Sequence, residues 1–216
     1  TFNLSEGDNF SITDAYYDWA VVGYFGRFNF NHADKYFLEG NLRYDGSSRF
    51  AEGSRFTWLP SVSAGWNIAK ESFLKDNGMF SVLKLRASWG KIGNQNYTNP
   101  ATGGQDYYPS IAGFESYNAN WINLNSQQRY ITFSPAQLVS STFTWEKVET
   151  KNLGVDVGVL NDRLSASFDL YTRATIGMLK EALPLPAVLG TSAPLKNDAD
   201  LLTKGWELQV GWQDVV

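Results

Sequence analysis

Residues 153–170 read LGVDVGVLNDRLSASFDL, and this stretch decides the class of the fold. Asn161-Asp162 is a two-residue turn signal between Leu160 and Arg163. Folding the chain back there sets Val159 against Leu164, Val157 against Ala166, Val155 against Phe168 and Leu153 against Leu170. The other face then carries Asn152, Asp156, Ser167, Asp169 and Tyr171. Period-two alternation that puts apolar pairs on one face marks an antiparallel sheet whose register is specified. The stretch predicts a β-hairpin.

An upstream stretch passes the same test independently. Strands from near Trp19 to Phe30 and from Tyr36 to Asp45 flank the five-residue turn 31–35. Pairing Phe30 with Tyr36 brings Phe28 to Leu38, Tyr24 to Leu42 and Val22 to Tyr44 on one face. On the other it brings Asn29 to Phe37, Arg27 to Glu39 and Gly23 to Arg43. Three more strands alternate singly, around Phe56–Ile68, Leu83–Trp89 and Gly205–Trp212, which gives about seven strands in all. Leu59 and Phe25 break the rule by falling on the polar face.

Composition agrees with an all-β chain. The 216 residues include 8 Trp, 11 Tyr, 14 Phe and 19 Gly but only 2 Met. The absence of Cys excludes thiol nucleophiles, disulfides and Cys-based metal centres. A net charge of -4 without a Lys/Arg cluster argues against nucleic acid as a partner, since phosphate-backbone binding needs a basic stripe. No run of 18 apolar residues occurs, which excludes a transmembrane helix but not a membrane β-barrel, whose apolar residues are hidden in alternation. The opening TFNLSEGDNF has neither a basic nor an apolar leader region, so the chain is expected to be mature or a piece of something longer.

The connections alternate in length. Those after the first, third and fifth strands, 31–35, about 69–82 and 161–162, are short or modest. Those after the second, fourth and sixth span about 46–54, 93–142 and 174–202. The two longest therefore lie at one end of an up-and-down meander, as in outer-membrane barrels with short periplasmic turns and long extracellular loops. Aromatics on the apolar face gather at strand ends. Phe30, Tyr36, Trp66 and Trp212 lie toward the short turns; Tyr44, Phe56, Trp58, Trp89, Trp145 and Trp206 lie toward the long loops, the pattern of two interfacial girdles.

No catalytic constellation appears. His32 sits alone in a polar turn and reads as a solvated surface residue rather than a metal ligand or base. Asp156 and Asp169 are diagonal neighbours on a polar face, a spacing open to paired acid/base work but more typical of wall charges. Gly93, Gly103 and Gly104 lack the strand-to-helix context of a phosphate loop and read as loop hinges. Asn3-Leu4-Ser5 and Asn96-Tyr97-Thr98 match the N-glycosylation acceptor, a match that would be idle in a bacterial outer membrane. In the long loop, Tyr97, Tyr107, Tyr108, Phe114, Tyr117, Trp121, Tyr130 and Phe133 fall among polar residues. Flat rings with polar edges suit sugars and peptides, and Tyr107, Tyr108, Tyr117 and Trp121 are the candidate substrate contacts. The alternative is that a loop of this length uses its rings as its own small core. The loop 174–202 has no aromatics, and its Leu-Pro-Leu-Pro run at 183–186 suits packing over a barrel mouth or against a partner.

Five segments resemble the SusC/RagA-type TonB-linked outer-membrane transporters: RYDGSSRF at 43–50, PSVSAGW at 60–66, LKLRASWGKIGNQ at 83–95, WEKVETKNLGVDVGVLNDRLSASFDLYTR at 145–173 and KGWELQVGW at 204–212. The resemblance implies a plugged transmembrane β-barrel of the 22-strand type in the bacterial outer membrane. At roughly 30 residues per strand such a barrel needs about 600 to 700 residues. Residues 1–216 are thus expected to be part of the barrel domain, without the plug or the closing C-terminal strands. It further implies import of glycans or peptides, a SusD/RagB-like surface lipoprotein partner, and coupling to the TonB complex through an N-terminal region, with no cofactor, metal or catalysis. Two rivals stay open on the residues alone: a soluble cell-surface β-protein that binds carbohydrate, and a secreted glycoside hydrolase using acids such as Glu146 or Asp169.

Overall fold

The computed structural model describes residues 16–74, 78–98, 107–114, 116–122, 129–135, 138–140, 142–191 and 193–214. Among these residues nine strands follow in chain order: β1 (Val21–His32), β2 (Tyr36–Ser47), β3 (Phe56–Asn67), β4 (Phe80–Asn94), β5 (Ser116–Ile122), β6 (Arg129–Phe133), β7 (Glu146–Val159), β8 (Leu164–Glu181) and β9 (Leu195–Trp212). Seven form one antiparallel sheet in the order β1-β2-β3-β4-β7-β8-β9, while β5 and β6 pair with each other inside the long connection. It is the all-β, up-and-down arrangement the sequence calls for, as an open sheet.

Pleating makes the two faces chemically different. One row of cross-strand partners runs Phe30, Leu38, Ala64, Ala87, Leu153, Leu170, Trp206 through all seven strands. The next row, one residue away, runs Asn29, Glu39, Ser63, Ser88, Asn152, Tyr171, Gly205. A slip of one residue on any strand would exchange apolar for polar on that strand. Among the described residues nothing packs over the apolar side chains, and Leu208, Val210 and Trp206 are all about three-fifths exposed or more.

The 153–170 hairpin has the expected register at all four apolar pairs. Its connection is wider than the two residues expected, spanning 160–163, with Leu160, Asn161 and Asp162 in the left-handed region. The β1–β2 hairpin differs by two residues: Phe30 faces Leu38, Phe28 faces Gly40, Tyr24 faces Tyr44, and the turn is three residues, 33–35. Asn31 is the reason. Its amide donates to Asp34 Oδ1 (2.9 Å) and its Oδ1 accepts from the Asp34 N–H (3.1 Å), holding a tighter turn with Ala33 and Asp34 at positive φ. An even slip preserves every face, and Arg27 still reaches Glu39, now diagonally, at 3.0 Å.

Most of the expected loop 174–202 is strand. β8 and β9 continue as a two-stranded ribbon, leaving only 182–194 as the connection. The pairing is irregular between Thr175 and Leu179, where Gly177 takes φ +69°. Side chains complete the backbone hydrogen bonding at that bulge. The Asn197 amide donates to the carbonyls of Thr144 (2.9 Å) and Gly177 (2.7 Å), and its oxygen accepts from the Thr144 N–H (2.9 Å). The Gly177 N–H donates to Asp200 and the Leu179 N–H to Glu146.

The small core sits at the long-loop end, where Phe50, Tyr97, Phe143 and Trp145 pack together beneath Leu179 and Leu195. Trp145, expected in an exposed girdle, is instead only 4% exposed and donates its indole N–H to the Arg55 carbonyl at 2.9 Å. Gly93 is a β4 residue rather than a loop hinge: a Cβ there would come within 3.0 Å of the Trp145 ring and 3.3 Å of Leu59. This accounts for Leu59, which breaks the alternation because it is buried beside that core. Gly103 and Gly104 lie outside the described residues, as does Asn3-Leu4-Ser5.

At the short-turn end three donors converge on Glu71: Tyr36 Oη at 2.6 Å, Lys35 Nζ at 3.0 Å and Trp66 Nε1 at 3.1 Å. The two rings thus keep their polar edges on one carboxylate. Those hydrogen bonds, Tyr36's first, hold the Glu71 carboxyl down at about 2 from an ordinary 4.5. A carboxyl lowered on folding stabilises the folded state fully above its unfolded value and loses that contribution as pH falls through the folded value. The stability gap between the full-length protein and its Glu71→Gln variant is therefore expected to stay constant from neutral pH to about 5 and to shrink between about 4.5 and 2. Denaturant titration at stepped pH measures it. A gap unchanged at pH 3 would show that the three donors do not act on the ionised carboxylate.

Candidate functional site

The polar face is a wall of paired charges. The Arg86 guanidinium donates to Asp156 through Nε (2.7 Å) and Nη2 (2.9 Å), and Nη2 also reaches Asp169 (3.1 Å) and Ser167 (3.2 Å). Arg86 crosses β7 to do so. It passes over Gly154, where a Cβ would stand 2.4 Å from Asp169 Oδ1 and 2.8 Å from Arg86 Nη2. The two carboxylates singled out in the sequence are therefore held together by a shared cation, which removes the reason to read them as an acid/base pair. Further along the wall, Arg27 pairs with Glu39 and Arg43 with Asp45 beside a groove of about 900 Å³. Phe25 also lines the groove and is 83% exposed, a large ring standing on this face opposite Arg43. His32 is exposed at its turn and stacks between Phe30 and Tyr36. No group of acids and histidines able to hold a metal occurs among the described residues.

The long-loop end places the four candidate aromatics as two separate pairs. Tyr107 stacks on Tyr17 at 5.6 Å, and the Arg49 guanidinium lies 5.2 Å from the Tyr107 ring and 4.1 Å from the Trp19 ring. Tyr108 donates its hydroxyl to the Asp18 carbonyl, and burial together with the Asp18 charge pushes the phenol up from its ordinary value. Both tyrosines thus tie the loop to the segment leading into β1. Tyr117 and Trp121 are on β5 and remain 55% and 59% exposed; Trp121 packs against Tyr130 across the hairpin with ring centroids 4.7 Å apart. Tyr97 belongs to the small core, and Phe114 meets Phe133 edge-on. Arg49 was not singled out in the sequence. It is 2% exposed and also donates to Asn96 Oδ1 (3.0 Å), making it the cation around which three segments close. Its only sequence signal was its place in RYDGSSRF.

A family model described as TonB dependent receptor-like, beta-barrel matches residues 1–215. The chain belongs to this family. It is 32% identical over 197 residues to TonB-dependent receptor SusC of Bacteroides thetaiotaomicron, covering 91% of this chain and 19% of that protein. It is also 32% identical over 195 residues to TonB-dependent receptor P3 of Formosa agariphila, covering 90% and 18%. Among solved structures, the RagAB peptide importer in its closed-closed state superposes with a TM-score of 0.72 at 26% identity, over 89% of this chain and 19% of that one. The chain is therefore of the SusC/RagA type and spans about a fifth of the length of these relatives. The siderophore receptor PirA of Acinetobacter baumannii shares the fold, with a TM-score of 0.57 at 16% identity. These relatives are receptors and transporters, not enzymes, which sets the hydrolase rival aside.

Proposed function

We propose that these seven strands are an arc of the wall of a larger barrel in the bacterial outer membrane that imports oligomeric nutrients, glycans or peptides. The carrying observation is the apolar row unbroken through seven strands, backed by a row that is polar on six of them. An apolar face with nothing packed over it suits lipid, and a salt-bridged face suits a water-filled or plugged lumen. β1 and β9 each have one unpaired edge in this sheet, and unpaired backbone in hydrocarbon costs several kcal/mol per group, so closure by further strands accompanies the reading. A plug, a SusD/RagB-like surface lipoprotein and energy from the TonB complex complete the importer, as similarity to SusC and RagAB suggests.

In this reading the β5–β6 hairpin is at the extracellular mouth. Tyr117 and Trp121 are the rings available to stack on a sugar or peptide, whereas Tyr107 and Tyr108 hold the loop. Trp121→Ala in the full-length transporter is expected to weaken ligand binding by about 1 kcal/mol or more while the heat-modifiable band of the folded barrel is unchanged. Tyr108→Ala is expected to act mainly through loop order. Unaltered affinity in both Trp121→Ala and Tyr117→Ala would move recognition to the plug or the lipoprotein.

A further inference from the structure

The outward apolar face turns basic where it reaches the long-loop end. Trp89 on β4 and Trp206 on β9 mark the girdle there. Between these strands the register sets Lys151 opposite Trp89, Thr172 opposite Lys151, and Lys204 opposite Thr172. Lys91 lies two residues beyond Trp89 and its ammonium stands 5.7 Å from that ring, on the same face. A single carboxylate stands in the group. Glu149 accepts from Trp89 Nε1 (3.0 Å) and lies 3.2 Å from Lys151 Nζ and 3.5 Å from Lys91 Nζ. Three cations against one anion leave an excess of positive charge at a level where the rest of the face carries rings or aliphatic side chains.

Directly beside the lysines the surface dips into a shallow, open depression. A groove of about 450 Å³ has Ala87, Leu153 and Leu170 for its apolar lining and Lys151, Thr172 and Lys204 along its polar edge. The depression follows from the sequence, because Ala87 is small where its row neighbour Leu153 is large. A long lysine can lie along such a surface and hold its ammonium at the headgroup level. The ammonium is a compact point charge with three donors, suited to a phosphate oxygen.

We infer that this groove holds one phosphorylated lipid of the outer leaflet, with its phosphate on Lys151 and Lys204 and an acyl chain against Ala87, Leu153 and Leu170, an inference that rests on the reading of this face as lipid-facing. Charge complementarity and an apolar channel meet in one depression, which a free phosphate would not require and a soluble acidic segment would not fill.

The test is native mass spectrometry of the full-length transporter released from micelles containing phosphatidic acid, diacylglycerol or inorganic phosphate alone. A saturable phosphatidic acid adduct is expected, lowered about fivefold in Lys151→Gln and about tenfold or more in Lys151→Gln/Lys204→Gln. Diacylglycerol is expected to give no adduct, and inorganic phosphate no competition. Equal phosphatidic acid adducts in the wild type and the double variant, or equal binding of diacylglycerol, would overturn the site; competition by inorganic phosphate would make it an anion site without the chain. A spin label on a cysteine placed at Leu208 tells the two readings apart. If that label is reached by lipid-soluble oxygen and the adduct is unaffected by the lysines, the lipid site alone fails. If water-soluble relaxant reaches it instead, the lipid-facing reading fails with it.

Discussion

Replacing Leu208 by Arg is expected to lower the folding free energy of the full-length barrel in a bilayer by about 2–4 kcal/mol, the depth-dependent cost of a cation near the midplane on the lipid side of a strand. Leu208 sits opposite Phe168, which sits opposite Val155 and then Leu85, so the new guanidinium would have aliphatic and aromatic side chains, and no acid, in its row of cross-strand neighbours. Val157→Arg is expected to act similarly, because Val157 lies in the next apolar row between Leu83 and Ala166. The control is Gln209→Arg, one residue from Leu208 but on the face of Ser167, expected to change stability by less than about 0.5 kcal/mol. Urea titration of the folded, heat-modifiable fraction in lipid vesicles measures all three. If Leu208→Arg and Gln209→Arg cost the same, the two faces do not meet different solvents and the soluble surface-protein rival returns.

This contrast also marks what was legible in the sequence. Period-two alternation reports a face, so Val155, Val157, Phe168 and Leu208 could be placed on one face without coordinates. Register is weaker information. The β1–β2 turn was misjudged by two residues because an even slip leaves every side chain on its own face, and only the reciprocal Asn31–Asp34 hydrogen bonds distinguish the alternatives. Beyond the apolar band the code stops. Residues 174–181 and 195–202 remain paired, but past the apolar band their alternation decays, so a ribbon read as a loop. Trp145 was ambiguous for a related reason: an indole at a strand end serves equally in a girdle or in a core, and burial against Phe50, with the indole N–H on the Arg55 carbonyl, is a contact between segments 90 or more residues apart. The same distance separates Tyr107 and Tyr108 from Tyr17, Asp18 and Trp19. The loop could be seen to be rich in rings, but which rings were spent on the loop itself could not.

Removing Arg86 is expected to be the most damaging change on the polar face. Arg86→Met would leave Asp156 and Asp169 without their shared cation, while Ser167, which donates to Asp156 at 2.8 Å, cannot neutralise either charge. Asp169 is the more enclosed of the two, with about a fifth of its side chain exposed, and its Oδ1 already has no partner among the described groups. Breaking a fully buried ion pair costs about 3–5 kcal/mol; here solvent reaches a third of Arg86, so about 2–3 kcal/mol is expected. Asp156→Asn should cost less, since Arg86 keeps Asp169, and the double change Asp156→Asn with Asp169→Asn should recover part of what Arg86→Met loses, because it removes the repulsion the lone carboxylates create. Gly154→Ala is expected to resemble Arg86→Met although it deletes no charge, for its Cβ would occupy the gap through which the guanidinium reaches β8. Denaturant titration of the full-length barrel for the single, double and triple variants gives the coupling directly. Additive losses would mean that Arg86 stabilises the wall by its own packing, and that the two carboxylates are held by something other than the cation lying between them.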